Sequence, residues 1–268
     1  MSNQNQRIFD IMLNRRSMRQ FLDKPITDEV LEKILKAGFQ APFAAQLCSI
    51  IYSRDSDKIT ELQKIGAYPT TQVLMLILID LRRLEKIMAR RGHSYDADDA
   101  FTLWLGVQDA SLVAENVILA AEALGLGSVF LGAIPHFAEP LAELFNIPDR
   151  VFPMVGLCLG YPDPAEHTEV RPRFPLEFSA YKDVYYDHSD EDISSCMKVM
   201  DEGYLAQNYY IERNAKIPLL KGRDTIDYDT YSWCEHISRK FCQGGWAKYP
   251  LLATLQKQGF TFEIKSQK

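Results

Sequence analysis

The sequence lacks the motifs that identify several common classes of nucleotide-binding and hydrolytic proteins. No GxxxxGK[ST] loop is present, no HExxH pair occurs, and no serine lies in a GxSxG elbow. The glycines of Gly125-Leu126-Gly127 precede their predicted strand, whereas those of a dinucleotide-binding GxGxxG loop follow one. These absences argue against a P-loop NTPase, a zinc peptidase, an α/β hydrolase and a Rossmann nucleotide site.

Cysteine and histidine are too scattered to indicate a disulfide framework or a metal centre. The five cysteines are odd in number and form no CxxC pair, which favours free thiols in a reducing cytoplasm. The five histidines show no Cys/His pairing of the kind that binds zinc. We therefore expect a cytoplasmic protein without a metal site, in which a cysteine such as Cys158 belongs to the core.

Long apolar runs and an excess of positive charge are lacking as well. The longest apolar run, Val73–Ile79, is too short to span a bilayer. The polar stretch Met1–Gln6 is not expected to be a secretory signal. With a net charge of −6 over 268 residues, the surface as a whole does not attract nucleic acid. We expect neither a membrane nor a nucleic acid as a partner.

Hydrophobic patterning predicts a protein of mixed helices and strands. Short apolar runs predict four strands, at Cys48–Ser53, Val73–Ile79, Gly127–Ile134 and Val155–Gly160. Short helices are predicted at Lys58–Ile65 and Ala138–Phe145. Thr27 is expected to cap the start of another helix, and Gly38 is expected to end it.

The middle of the chain contains the longest helical pattern. Phe101–Leu124 is apolar around most of its circumference, which predicts a helix buried in the core or against a second subunit. The preceding stretch, Leu81–Ala100, is rich in charge and is interpreted as an exposed helix and loop with no chemistry. After Pro162 the composition becomes more polar and rich in tyrosine. We expect a core at residues 1–175 and an extension at 176–268 that packs on the core or on a partner subunit and is not an independent domain.

A dense group of hydrogen-bond donors lies near the start, in Arg15-Arg16-Ser17-Met18-Arg19. Two interpretations of this group are open. It is either a solvated charge run on an N-terminal helix or a binding site for phosphate, whose oxygens suit the planar fork of N–H groups on arginine. The motifs further along the chain bear on this choice.

Three further motifs follow in order. They are Ala41-Pro42-Phe43-Ala44-Ala45-Gln46, then Gly125-Leu126-Gly127-Ser128-Val129-Phe130-Leu131-Gly132-Ala133, then Arg171-Pro172-Arg173-Phe174-Pro175. With the arginine motif, their order and spacing resemble the FMN-dependent nitroreductase superfamily, which carries RRSxRxF, APSAxNxQ, GLGxxxxGA and a late arginine near proline. Each motif is weak alone, but four in order over about 160 residues are a specific signal.

The resemblance implies a role for each matching residue. Contacts to the FMN phosphate and ribityl chain are implied for Arg15, Arg16, Ser17 and Arg19, and Arg173 would close on the phosphate. Small or backbone-only neighbours of the flat flavin ring are implied at Ala44, Ala45, Gly132 and Ala133. Gln46 occupies the place of the amide that hydrogen-bonds the ring edge. Phe43 departs from the serine that is common there and would narrow the acceptor site.

The resemblance is closer to the NADPH-dependent branch with a long C-terminal extension. Gly156–Pro162 and Tyr209–Arg213 resemble that branch, and Arg213 matches an arginine that grips the 2′-phosphate of NADPH. The basic cluster that follows in the branch is not matched by Gln243-Gly244-Gly245-Trp246, and an insertion lies near Lys216–Gly222. The preference for NADPH over NADH is therefore left open.

The resemblance also implies a fold and an activity. The fold would be α+β, a mostly antiparallel central sheet surrounded by helices, in an intertwined homodimer with two FMN sites built from both subunits. The activity would be a ping-pong transfer of hydride from NAD(P)H to nitro compounds, quinones or free flavin, which are flat, electron-poor acceptors. No catalytic side chain is expected, because FMN carries the chemistry. The alternatives are an FMN carrier without nicotinamide turnover and a specialised enzyme that destroys flavin or dehalogenates reductively.

Overall fold

The computed structural model describes residues 3–243 and 250–262 of the chain. Ten helices lie in these residues, with bounds α1 Asn3–Asn14, α2 Asp28–Phe39, α3 Ser56–Gln63, α4 Leu81–Arg90, α5 Asp99–Ala123, α6 Ala138–Phe145, α7 Asp190–Ala206, α8 Tyr209–Glu212, α9 Trp233–Cys242 and α10 Leu251–Lys257. Four strands lie there too, β1 Cys48–Ser53, β2 Val73–Asp80, β3 Gly127–Leu131 and β4 Val151–Gly160. The predicted mixture of helices and strands is confirmed.

The four strands form one sheet in the order β1-β2-β4-β3, and every neighbouring pair is antiparallel. Cys48 of β1 lies opposite Ile79 of β2, and Ser128 of β3 lies opposite Leu159 of β4. β2 and β4 are therefore the central strands, while β1 and β3 are the edges. The predicted antiparallel sheet is confirmed.

Alternate residues of β2 enter two separate cores, because successive side chains of a strand point to opposite faces. Val73, Met75, Ile77 and Ile79 pack with residues of α2 and α5. Leu74, Leu76 and Leu78 face the other side, where residues of α3 and α6 pack. The sheet is thus covered by helices on both faces, which explains the continuous apolar run of β2.

Two predicted element ends were wrong, that of α2 and that of β3. Gly38 lies inside α2 and does not end it; a Cβ there would lie 2.5 Å from Val117 Cγ2, so glycine permits the close contact between α2 and α5. The strand predicted at Gly127–Ile134 ends at Leu131, because Gly132 and Ala133 form a turn into a short 3₁₀ segment at Ile134–Phe137.

The chain divides into two compact units. One comprises Met1–Thr168 together with the segment that begins at Pro250, and the other is Glu169–Tyr249. In the first unit, Leu255 and Phe260 are buried in the core that contains α2 and α5. The second unit contains α7, α8 and α9. The predicted boundary at residue 175 and the role of 176–268 as one extension stay predictions.

A buried ion pair holds the segment that begins at Pro250 to the rest of the first unit. Arg150 donates to both carboxylate oxygens of Asp99, to Glu85 Oε1 at 2.6 Å and to the carbonyl of Gly259 at 3.0 Å. The backbone N–H of Thr261 donates to Asp99 at 2.6 Å. Burial alone would raise the pKa of Asp99, but the hydrogen bonds from Arg150 and Thr261 outweigh it and lower this pKa to about 2.

The long helix α5 is the one helix in the described part of the chain that is long and apolar enough to cross a membrane. Its buried face, however, contributes Val113, Val117 and Ile118 to the core of the first unit. Trp104 and Leu112 on other sides are exposed. Since a core helix has the same length and composition, this feature does not by itself indicate a membrane span, and the predicted cytoplasmic location stays a prediction.

Candidate functional site

The arginine motif follows α1 and runs beside the edge strand β3. Ser17 forms an isolated parallel bridge with Ser128, and the backbone N–H of Met18 donates to the Ser128 carbonyl at 2.9 Å. A Cβ at Gly127 would lie 2.7 Å from the Met18 side chain, so the glycine lets this segment approach the strand. The motif is therefore attached to the sheet and is not a free charge run on a helix.

Several donors in this motif have partners in the protein. Arg19 donates from Nε to the Tyr68 hydroxyl at 3.0 Å and from Nη1 to the Ser17 carbonyl at 3.1 Å. Arg16 Nη1 donates to the carbonyl of Asn14 at 3.3 Å. The backbone N–H groups of residues 19 and 20 both donate to Glu166 Oε2 at 2.8 Å. These contacts fix the backbone of the motif.

Two buried groups here that can donate a hydrogen bond have no partner among the described residues. They are Arg15 Nη1, a charged donor, and Ser128 Oγ, the hydroxyl of the residue that bridges Ser17. Burying a donor without an acceptor is costly, so such atoms indicate a missing partner. Three arginines and a hydroxyl are the donor set that a phosphate dianion prefers. The residues present therefore fit the phosphate of FMN.

One acidic side chain belongs to the same region and was not predicted. Burial raises the pKa of Glu122, while the charges of Arg15 and Arg16 lower it. One carboxylate oxygen of Glu122 is buried without a partner in the described chain. Its negative charge opposes the positive field of the two arginines.

Gly132 and Ala133 lie just beyond the end of the same strand. Gly132 is four residues after Ser128, a distance of about 13 Å along a strand. It is exposed, and a Cβ built on it meets no atom within 4 Å. Backbone groups at this turn are therefore accessible to a ligand. The structure brings the first and third motifs together on one edge of the sheet.

The second motif forms a loop at the other edge, immediately before β1. Asp109 of α5 is 1% exposed and accepts three backbone N–H groups of this loop, from Ala44 at 2.6 Å, Ala45 at 3.2 Å and Leu47 at 2.9 Å. Gln46 has a left-handed backbone with φ of 53°. The predicted loop is confirmed, and its shape is held by a carboxylate that the sequence analysis did not single out.

Arg83 holds the same loop from its carbonyl side. Its guanidinium donates to the carbonyls of Gln46 and Cys48 and, at 2.9 Å, to the hydroxyl of Ser49. The prediction that Leu81–Ala100 is a helix and loop with no chemistry stays a prediction, but Arg83 within it has a structural role in holding this loop. A lone arginine on a charged, amphipathic helix gives no sequence signal, whereas Asp109 is conspicuous as an acid within the apolar pattern of α5.

A cavity of about 280 Å³ lies beside the loop, lined by Phe39, Ala41, Phe43, Gln46, Cys48, Arg83, Asp109 and Val113. Phe43 is 56% exposed, so its ring stands at the surface of this region. Burial raises the pKa of the Cys48 thiol to about 12. The cavity wall therefore combines apolar groups, a neutral thiol and two charged side chains, Arg83 and Asp109, that bond the loop backbone.

The two edges of the sheet are far apart within one chain. Three strand spacings separate β1 from β3 across the sheet. Along the strand direction, the β4 residues that are level with Cys48 and with Ser128 are seven positions apart. Strand geometry then places these two anchors about 25 Å apart. One chain therefore does not bring its arginine motif and its 41–46 loop together.

Two predicted residues belong to the second unit. Arg173 is exposed and donates to the carbonyls of Arg171 and Pro172. Arg213 lies over the ring of Tyr209 with its Cζ 5.1 Å from the centroid, and Arg171 lies 4.2 Å from the same centroid. Of the Gln243–Trp246 stretch, which lacks the basic cluster of the branch, residues 244–246 lie outside the described residues.

Known proteins match this chain in sequence and in fold. A sequence model of the Nitroreductase family matches residues 12–67 and 60–161. The NADPH-flavin oxidoreductase of Vibrio harveyi is 32% identical over 212 residues, which cover 77% of this chain and 83% of that protein.

Solved structures share the fold over most of the chain. NfrA2 of B. megaterium matches with a TM-score of 0.78 and 25% identity, covering 96% of this chain and 98% of that one. The NADPH:FMN oxidoreductase of Vibrio harveyi complexed with NAD+ matches with a TM-score of 0.75 and 27% identity, covering 94% and 97%. The predicted resemblance and fold class are confirmed: this chain belongs to the nitroreductase family.

Proposed function

We propose that this protein is an FMN-dependent oxidoreductase that passes hydride from NAD(P)H to nitro compounds, quinones or free flavin in two separate half-reactions. Family membership supports the predicted class of enzyme and its cofactors, since relatives are named as NADPH-flavin and NADPH:FMN oxidoreductases. The observation that carries the proposal is Arg15 Nη1, a buried charged donor without an acceptor in the part of the chain that the structure describes.

Each part of the site has a separate task. Arg15, Arg16, Ser17 and Arg19 would bind the phosphate end of FMN, and the accessible backbone at Gly132 and Ala133 would lie beside the cofactor. Gln46 would donate a hydrogen bond to the ring edge. Arg173 would add charge at the phosphate. When bound, FMN supplies the redox chemistry, because it accepts hydride from one substrate and delivers electrons to another.

The protein would work as a homodimer. The arginine motif and the 41–46 loop lie at opposite edges of the sheet, about 25 Å apart at their anchors. Two copies related by symmetry would bring the arginine motif of one subunit to the loop of the other. Exposed apolar side chains on α1, including Phe9 and Leu13, suit burial against a second copy. Gel filtration of the protein with FMN should show a dimer; a monomer that holds FMN tightly would contradict this arrangement.

A second candidate function is an FMN carrier that does not turn over nicotinamide. It is favoured by the state of two basic side chains near the insertion in the second unit. Lys216 and Arg239 both pair with Asp224, at 3.3 Å and 2.7 Å, so they are committed to the fold and not to a nucleotide phosphate. If the protein is the reductase instead, Arg213 would bind the 2′-phosphate, and Arg213→Ala should raise the KM for NADPH while leaving the KM for NADH little affected.

An anaerobic titration separates the two functions. Purified protein with FMN is titrated with NADPH and then NADH while the flavin absorbance is followed. Rapid bleaching by one nucleotide supports the reductase, and bound flavin that neither nucleotide bleaches supports the carrier.

The phosphate site is tested by Arg15→Ala, which should raise the dissociation constant of FMN about 10- to 100-fold, the effect of losing a charge-assisted hydrogen bond. Arg90→Ala, which changes an exposed arginine on α4, is the matched control. Unchanged affinity in Arg15→Ala would refute the phosphate site.

A further inference from the structure

We propose that Asp109 and Arg83 are positioning residues that hold the loop of residues 41–47, defined here as the ring loop, in the shape needed to receive flavin and acceptor. This inference rests on the proposed function, because the ring loop is assigned to the flavin ring there. The two side chains come from different helices, α5 and α4. They act on opposite polar groups of the same backbone.

Asp109 binds only the donor side of the ring loop. Three N–H groups, of residues 44, 45 and 47, converge on its two carboxylate oxygens. In the described part of the chain every hydrogen bond to this carboxylate comes from the ring loop. Since the side chain is almost fully buried, its charge is stabilised by these donors and not by water. Because all three donors come from one loop, the buried carboxylate determines the backbone shape of that loop.

The geometry of the peptide bond determines what the loop presents outwards. In a trans peptide the C=O points opposite to the N–H of the next residue. Because the N–H groups of Ala44 and Ala45 point to Asp109, the carbonyls of Phe43 and Ala44 point away from it. Residues 42–46 are exposed on that outer side. The ring loop therefore offers carbonyl oxygens to whatever binds against it, which favours electron-poor rings and hydrogen-bond donors.

Arg83 stabilises the strained part of the loop. Gln46 has a positive φ, a backbone conformation that is strained for a residue with a side chain. The Arg83 guanidinium accepts no hydrogen bond and donates to the carbonyl of Gln46 and to that of Cys48, on each side of Leu47. Held in this way, the Gln46 side chain projects from a fixed backbone. The strained residue is thus Gln46 itself, the one to which the hydrogen bond with the flavin ring edge is assigned.

The first test measures the loop itself in Asp109→Asn. The amide keeps the size of the carboxylate but removes the charge and turns an NH₂ group toward backbone donors. We expect hydrogen exchange of the peptide spanning residues 41–49 to quicken at least tenfold, and the dissociation constant of FMN to rise about tenfold. The matched control is Asp98→Asn, at the exposed N-cap of the same helix, because this side chain accepts the backbone N–H of Ala100 and does not bond the loop. It should leave exchange of this peptide at the wild-type rate.

The second test asks whether Asp109 acts through Gln46. Asp109→Asn and Gln46→Ala should each raise the KM for a benzoquinone acceptor, and the double variant should be no worse than the more severe single variant. A purely structural role for Asp109 would make the two effects multiply, and that result would overturn the proposal.

Arg83→Met and the wild-type protein provide two further checks. If Asp109→Asn does not fold, Arg83→Met decides, because Arg83 is 44% exposed and its loss spares the core; unchanged loop exchange in that variant would overturn the proposal. If wild-type FMN is bleached by neither nucleotide, the proposed function fails, while exchange of the 41–49 peptide still reports on the two positioning residues.

Discussion

Removing the buried carboxylate of Asp99 should destabilise the protein in a way that depends on pH. Asp99 is 1% exposed as a side chain, pairs with Arg150 and accepts the backbone N–H of Thr261. Asp99→Asn keeps the shape of the side chain but leaves the Arg150 charge, among residues 3–243 and 250–262, with Glu85 alone as an ionic partner. Breaking a buried pair from one side costs about 3–5 kcal/mol, and the remaining partner places this case near the lower value, about 3 kcal/mol at pH 7.

The dependence on pH follows from the pKa of the folded state. The pKa of Asp99 is lowered from 3.8 to about 2 on folding. A lowered pKa contributes stability that is fully present above the unfolded value and lost as pH falls through the folded value. For this carboxylate the contribution is about 2 kcal/mol above pH 4 and disappears near pH 2 and below. The difference between wild type and Asp99→Asn should therefore shrink to about 1 kcal/mol near pH 2.

Urea unfolding between pH 2 and pH 7, at one fixed protein concentration, measures this difference. The control is Asp98→Asn at the exposed N-cap of α5, where asparagine caps as well as aspartate and the cost should stay within about 0.5 kcal/mol. A penalty for Asp99→Asn that is the same at pH 7 and at pH 2 would refute the reasoning, because it would show that the charge of the carboxylate is not what holds the segment.

Two other substitutions or reactions test the packing. Gly38→Ala should cost about 1–2 kcal/mol in urea unfolding because its Cβ would lie 2.5 Å from Val117 Cγ2; in a Val117→Ala background the same change should become stabilising, and a penalty that persists there would contradict the contact. Since burial raises the pKa of Cys48 to about 12, an alkylating reagent at pH 8 should label the exposed Cys242 and spare Cys48 until urea is added. Labelling of Cys48 in the native protein would contradict the conclusion that this thiol is buried.

The elements with a strong periodic signal were predictable from the sequence. The strand at Cys48–Ser53 and the helix at Ala138–Phe145 have the predicted bounds, and Thr27 is the N-cap of α2. Their signals are local: an apolar run, a helical stripe, a capping side chain. Gly38 was predicted wrongly because the reason for glycine there is a neighbouring helix, which no local pattern reveals.

The candidate site was predictable only in part, for a similar reason. The motif at Arg15–Arg19 could be found because its donors are adjacent in sequence. Asp109 and Arg83 act on a loop more than 35 residues away in sequence, so their role depends on the packing of α4 and α5 against β1. Such a role becomes visible only when the partners of each backbone N–H and C=O are traced.

The attachment of the arginine motif to β3 also has a consequence for solubility. An exposed edge strand offers unpaired backbone groups to other chains and invites aggregation. Ser17 and Met18 pair with Ser128, and Phe21 pairs with Pro162 just after β4. This segment therefore covers part of the sheet edge at β3 and shields it from other molecules. Substitutions that detach it should promote association of chains through their strands, and loss of FMN binding in such variants would then accompany aggregation.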